Sequence, residues 1–287
     1  ILLVHGFAAS AEQWERLVYS IREQTIKSNN GKDVTPPIYA IDLLGFGHSE
    51  KPSLSYTQYL WESQIVDFAI EVMEATPMVM VGNSIGGGLS AGAAASLGNK
   101  ICRGLVLSFE GNPETPYSPV PIFGNKVLDI FGSSIVKFIY PQIEDRLSVI
   151  YGNNMDNADP AVAYAIQQSA SSPGSPNVIG SGQKLGPNRP LNEVLIDIDV
   201  LVVKGLDDRV SSPEVAKSRA ELFSKLKSDR VYVETIDNAG HCPHDDAPDK
   251  VANAIVNWSA SSLSGTKLTT TTTTAAIEND AAFIVQE

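Results

Sequence analysis

Short apolar runs and longer amphipathic stretches alternate along the chain. ILLV (1–4), PIYAID (37–42), MVMVG (78–82) and GLVLSF (104–109) are near-continuous apolar runs of strand length. Between the second and third, residues 57–75 place Leu60, Trp61, Ile65, Phe68, Ala69 and Val72 on one helical face. After the third, the small-residue stretch GGGLSAGAAASLG predicts another helix. A polar-apolar segment begins at Ser10, where Ser10 and Gln13 have capping-box spacing. The alternation resumes late in the chain with DVLVVKG (199–205), a helix over about 213–226, VYVETI (231–236) and a last helix over about 248–259. Strands that are apolar throughout, separated by helices, predict an α/β fold whose mostly parallel sheet is covered by helices on both faces.

The pattern breaks between 111 and 198. That stretch is rich in Pro, Gly, Asn and Ser, and carries helical pieces near 125–151 and 159–170. It also carries Tyr117, Phe123, Phe131, Phe138, Tyr140, Tyr151 and Tyr164, more aromatics than a plain linker needs. The expected organisation is a core over 1–110, an inserted helical cap or lid over 111–198, and the rest of the core over 199–260. Residues 261–287, with threonine from Thr269 to Thr274, are expected to be a disordered tail. Because Ile1 already opens a strand, further N-terminal sequence, with any targeting peptide, is expected to precede it.

Composition narrows the function. The chain has 287 residues, 43% of them hydrophobic, enough for a full core. Its 21 basic and 33 acidic residues give a net charge of -12, without a basic stripe for nucleic acid. Cys102 and Cys242 offer neither a disulfide framework nor metal spacing. No apolar run approaches the roughly 20 residues of a membrane-spanning helix. The expected protein is soluble, acidic and metal-independent, and its oligomeric state is open.

The chemistry centres on VGNSIGG (81–87), in which Ser84 lies between an apolar strand and a small-residue helix. There a serine can occupy a cramped turn, exposed above the sheet edge at a helix N-terminus, with Gly82 and Gly86 removing clashing side chains. A phosphate loop is the rival for a glycine-rich turn, but no lysine follows and the G-x-G-x-x-G spacing is absent. A serine nucleophile needs a base, and the base needs an orienting acid. His241 follows VYVETI in the DNAGH loop, whereas His5 is better suited to bracing the HGFAAS loop and His48 to a loop without a chemical role. LVVKGLDDRVSSP offers Asp207 and Asp208, and counting from Gly205 favours Asp208. The amides of Ile85 and, from the loop after the first strand, Phe7 are the expected oxyanion donors. Asp42, Gly45 and Gly47 are expected to shape a tight loop, and Cys242 to be a packed small residue. His244 and Asp245 either organise the base loop or cap its turn.

Together HGF, DLLGFGHS, GNSIGG and the late Asp and His loops resemble the α/β-hydrolase superfamily over about 1–260. A narrower likeness joins AIDLLGFGHSEKP, LWESQ (60–64), VGNSIGGG and GHCPHDDAPDKV. These look like the plastid and cyanobacterial branch that includes pheophytinase, which removes phytol from pheophytin. That resemblance implies a Ser-Asp-His esterase acting on a small-molecule hydrophobic ester, without a metal or organic cofactor, in a plastid. Two features depart from it: the stretch after Asp208 lacks the branch's D-P-W-x-P, and the inserted segment matches only in pieces such as RLSVIYGNN and SSPGSP. A carbon-carbon hydrolase, a lyase or a perhydrolase would use the same three residues, and a slowly turning ligand sensor would retain them. Epoxide hydrolases and haloalkane dehalogenases would carry aspartate at Ser84.

Overall fold

A computed structural model describes residues 1–54, 56–108, 125–139, 142–151, 155–158, 160–181, 197–210 and 230–263. Six strands form one sheet: β1 (Leu2–Val4), β2 (Tyr39–Ile41), β3 (Met78–Asn83), β4 (Cys102–Ser108), β5 (Asp199–Gly205) and β6 (Val231–Ile236). Their order is β2-β1-β3-β4-β5-β6, and every neighbouring pair is parallel. The helices are α1 (Glu15–Ser28), α2 (Gln58–Asp67), α3 (Ile85–Leu97), α4 (Asn125–Ile139), α5 (Ile143–Ile150), α6 (Pro160–Ser171), α7 (Ser175–Ser181), α8 (Pro243–Asp246) and α9 (Pro248–Trp258).

The central strands are mostly apolar because both faces of the sheet are buried there. Leu2 and Val4 of β1, Met80 of β3, and Leu105 and Leu107 of β4 pack into one core with Trp61, Ile65 and Leu89. Leu3, Val81, Val106, Leu201 and Val203 point the other way, into a core closed by Trp14, Leu17 and Ile21 of the N-terminal helical segment and by Val251, Ile255 and Trp258 of α9. A one-residue slip would exchange the two sets, and each large apolar side chain forced into the core shaped for the other set costs about 1–3 kcal/mol in mispacking. The register is therefore fixed from both sides.

Several local expectations are corrected. The helix from Thr57 is α-helical only to Asp67, and Phe68–Val72 forms a π turn. The wider turn shifts the buried face by one residue, so Val72 is 52% exposed and Met73 packs inward. Ser10 makes no side-chain cap: its carbonyl accepts the Gln13 N–H at 3.2 Å. The segment starts as a 3₁₀ turn over Ala11–Trp14, and Gln13 Nε2 lies 3.5 Å from Cys242 Sγ. The fourth strand starts earlier, at Cys102. Ser261 to Leu263, assigned above to the tail, belong to a π turn over Ser259–Leu263. Helix α7 was not anticipated among Pro173, Gly174 and Pro176, yet Pro176 falls in its first turn, where a missing N–H costs nothing. The helix expected over 213–226 and the tail from 264 onward lie outside the described residues.

Helices α4 to α7 all fall between β4 and β5, and those two strands pair directly, Gly104 with Asp199 through Leu107 with Val202. The inserted segment thus leaves and rejoins the sheet at neighbouring strands. The chain reverses its direction of travel across the sheet between β1 and β3, after β2 has been added on the outer side. In an open parallel sheet, the crevice beyond the strand ends at such a reversal is where ligands bind. The loops after β1 and β3 meet there.

Candidate active site

Ser84 directly follows β3 and forms the N-cap of α3 with φ 53° and ψ −129°. Few residues other than glycine occupy this region, and a strained turn between strand and helix fixes where the side chain points. Serine at an N-cap ordinarily spends its hydroxyl on the helix amides, but Ser84 makes no such bond. Its backbone is held at both ends: the N–H donates to Ser108 O at 2.6 Å, and the carbonyl accepts from Gly87 N at 3.0 Å. A Cβ on Gly86 would strike the carbonyl oxygens of Val4 and His5, so glycine there lets α3 lie against the end of β1. Ile85 is the first residue of α3, and such first-turn amides have no intrahelical acceptor.

The loop after β1 passes directly by the serine. A Cβ on Gly6 would lie 3.0 Å from Ser84 Cβ, and Phe7 is the next residue. The Phe7 ring meets Phe46 edge-on at 5.2 Å. His5 is completely buried: Nδ1 lies 2.7 Å from Gly6 O, and Nε2 accepts the Leu43 N–H at 3.1 Å. Those partners make Nδ1 the protonated nitrogen, and burial lowers the pKa of the ring. His5 is thus a neutral brace between the β1 and β2 loops. Asp42 works beside it, accepting from Ala11 N at 2.7 Å and His48 N at 2.8 Å. His48 is surface-exposed and paired with Glu12, which raises its pKa.

Beyond β5 and β6, Nδ1 of His241 lies 3.1 Å from Oδ2 of Asp208. Their side chains are 10% and 15% exposed. A carboxylate can only accept, so Nδ1 carries a proton. The other Asp208 oxygen accepts the Val210 N–H at 2.8 Å, which fixes the carboxylate plane. Asp207 uses its backbone N–H on Ala239 O at 2.8 Å, stitching the β5 loop to the β6 loop.

Asn83 links the serine turn to this histidine loop. Its Nδ2 donates to His241 O at 3.0 Å and to Ser108 O at 2.9 Å. Nothing in the local pattern around Ser84 marked Asn83 for this. Cys242 is buried, its Sγ lies 3.6 Å from Asn83 Oδ1, and desolvation raises its thiol pKa, so it is a packed thiol in this region. Asp246 accepts the Gly240 N–H at 2.8 Å. His244 stacks on Trp14 with ring centroids 4.0 Å apart, and neither ring nitrogen has a hydrogen-bond partner. Burial first, and the neighbouring His241 second, depress its pKa to about 3.

A cavity of about 520 Å³ lies between α6 and the start of α1, with Ala8, Ala9, Arg16, Val162, Ile166 and Asp245 in its wall. Ser84 and His241 are not among its lining residues, so the serine lies outside this cavity. No group of three or more His, Cys, Asp or Glu side chains among the described residues is disposed to hold a metal ion. No helix among them is long and apolar enough to cross a membrane.

The architecture is shared with solved hydrolases. A putative aryl esterase from Burkholderia cenocepacia superposes with a TM-score of 0.68 at 20% identity, over 92% of this chain and 90% of its own. A thermophilic esterase from Thermogutta terrifontis gives 0.64 at 20% identity, over 93% and 90%. At such identities the likeness is one of fold. The uncharacterized hydrolase YugF of Bacillus subtilis is 21% identical over 262 residues, 90% of this chain and 89% of its own. The 1-acylglycerol-3-phosphate O-acyltransferase ABHD5 of Rattus norvegicus is 22% identical over 174 residues, 53% of this chain and 46% of its own. The chain thus spans about half the length of that curated relative. The model of the Alpha/beta hydrolase family matches residues 1–254, taking in all six strands and the loops of Ser84, Asp208 and His241, and the chain belongs to that family.

Proposed function

We propose that this hydrolase cleaves a carboxylic ester through an acyl-enzyme formed on Ser84. The observation that carries the reading is the Ser84 hydroxyl, left unspent at a strained helix N-cap whose neighbour Asn83 is bonded to the His241 loop. In this reading His241 Nε2 takes the serine proton as Oγ attacks the ester carbonyl. Asp208 holds the proton on Nδ1, so that Nε2 can accept the serine proton, and stabilises the imidazolium that forms. The amides of Ile85 and Phe7 receive the developing oxyanion. His241 then protonates the leaving alcohol, and water activated by the same imidazole releases the acid.

The segment 111–198 serves as the cap over this crevice, and the substrate is a small-molecule hydrophobic ester. The likeness of GHCPHDDAPDKV and AIDLLGFGHSEKP to the pheophytinase branch favours a phytyl ester and a plastid setting. The test compares wild type with Ser84→Ala on pheophytin and on a short p-nitrophenyl ester. Loss of several orders of magnitude on both substrates in Ser84→Ala supports the full reading. Turnover of the short ester alone keeps the mechanism and rejects the phytyl substrate. Ser84→Ala retaining a tenth or more of wild-type activity rejects the nucleophile.

A further inference from the structure

The loop that carries His241 is held from the inserted segment as well as from the sheet. Helix α5 ends at Ile150, and the last carbonyls of a helix have no intrahelical donor. Ile150 O accepts the His241 N–H at 2.6 Å. The next residue, Tyr151, is fully buried against Leu147 and Ala163, and its hydroxyl donates to Asp245 Oδ2. Asp245 lies in α8, four residues beyond His241, and Arg16 approaches its other oxygen at 3.7 Å. The inserted segment therefore grips the histidine loop at His241 itself and again one turn further on.

We propose that Tyr151 is a positioning residue for His241: through Asp245, and together with the Ile150 carbonyl, it holds the base at the working distance from Ser84. This rests on His241 being the base. Desolvation, reinforced by the Asp245 charge, raises the phenol pKa well above its ordinary value, so Tyr151 stays a donor across the working range. Its ring is already packed in the small core of α5 and α6, which allows the hydroxyl to be removed with little loss of packing.

The test uses Tyr151→Phe, Asp245→Ala and the double variant on a short p-nitrophenyl ester, with the melting temperature checked for each. Tyr151→Phe is expected to lower kcat roughly tenfold or more while KM moves less than about twofold, because a misplaced base slows the chemistry without touching binding. The downfield Nδ1 proton resonance of His241 is expected to broaden in the same variant. The double variant is expected to lose no more than the more damaging single, since both break one bond. An unchanged kcat with a sharp resonance in a folded Tyr151→Phe overturns the inference, as do single losses that multiply. If Ser84→Ala retains wild-type turnover, the nucleophile reading fails separately. The resonance then decides alone: broadened, Tyr151 still positions His241; sharp, it does not.

Discussion

Asn83 Nδ2 lies 3.0 Å from the carbonyl oxygen of His241, so the residue before the proposed nucleophile is bonded to the backbone of the proposed base. Two loops from opposite sides of the inserted segment are set relative to each other by one buried amide. Asn83→Ala is expected to lower kcat roughly 10- to 100-fold by letting them drift. Asn83→Asp should be worse, because it turns an acceptor toward two carbonyl oxygens. Steady-state kinetics on a short ester checks the order.

The two adjacent carboxylates separate by role. Asp208→Asn is expected to cost about 10⁴-fold in kcat, since an amide facing Nδ1 favours the wrong tautomer. Asp207→Asn keeps its backbone bond to Ala239 and should stay within about threefold of wild type. Equal losses would mean that the carboxylate beside His241 is not the orienting acid.

His244 makes stability depend on pH. Its folded pKa, about 3, lies below the ordinary 6.5. Between those values the unfolded chain binds a proton that the folded chain refuses, so stability rises with pH and is lost as pH falls below about 6.5. One such group contributes about 1.4 kcal/mol per pH unit, and buried His5 has the same sign. His244→Phe keeps the stack on Trp14 and removes two unpartnered nitrogens. Urea midpoints at pH 5 and pH 7 should show a shallower slope for that variant and no loss of stability at pH 7.

Gly86→Ala places a methyl against the Val4 and His5 carbonyls. The backbone cannot yield there without parting α3 from β1, so a loss of at least about 1–3 kcal/mol is expected, with reduced turnover. Denaturant unfolding beside activity reads both. A variant as stable as wild type would mean that the close approach is not rigid.

Strands buried on two faces leave a dense apolar signature, and DVLVVKG coincides with β5 residue for residue; the edge strand β6 coincides with VYVETI, whose Val231 and Ile236 are the buried ends. The carboxylate against His241 is the one reached by counting from Gly205, because short loops between fixed strand ends leave little freedom. The contacts of Asn83, Tyr151 and Arg16 with the histidine loop and its helix escaped notice for the opposite reason. Their partners are 94 to 229 positions away, and no local period records a polar contact made across the fold. The π turn at Phe68–Val72 escaped as well, since a single wide turn leaves the apolar spacing almost unchanged.

The two faces of the sheet differ in when they can be completed during synthesis. The face with Trp61, Ile65 and Leu89 draws mainly on residues before 108. The other waits for Val251, Ile255 and Trp258 to cover Trp14, Leu17 and Ile21. A nascent chain therefore carries an uncovered apolar sheet face until α9 has emerged, and pairings across such sequence distances close slowly. The turn of Ser84 is translated long before the loop of His241, so the two loops cannot meet, and that one identifiable face stays open, until α9 docks.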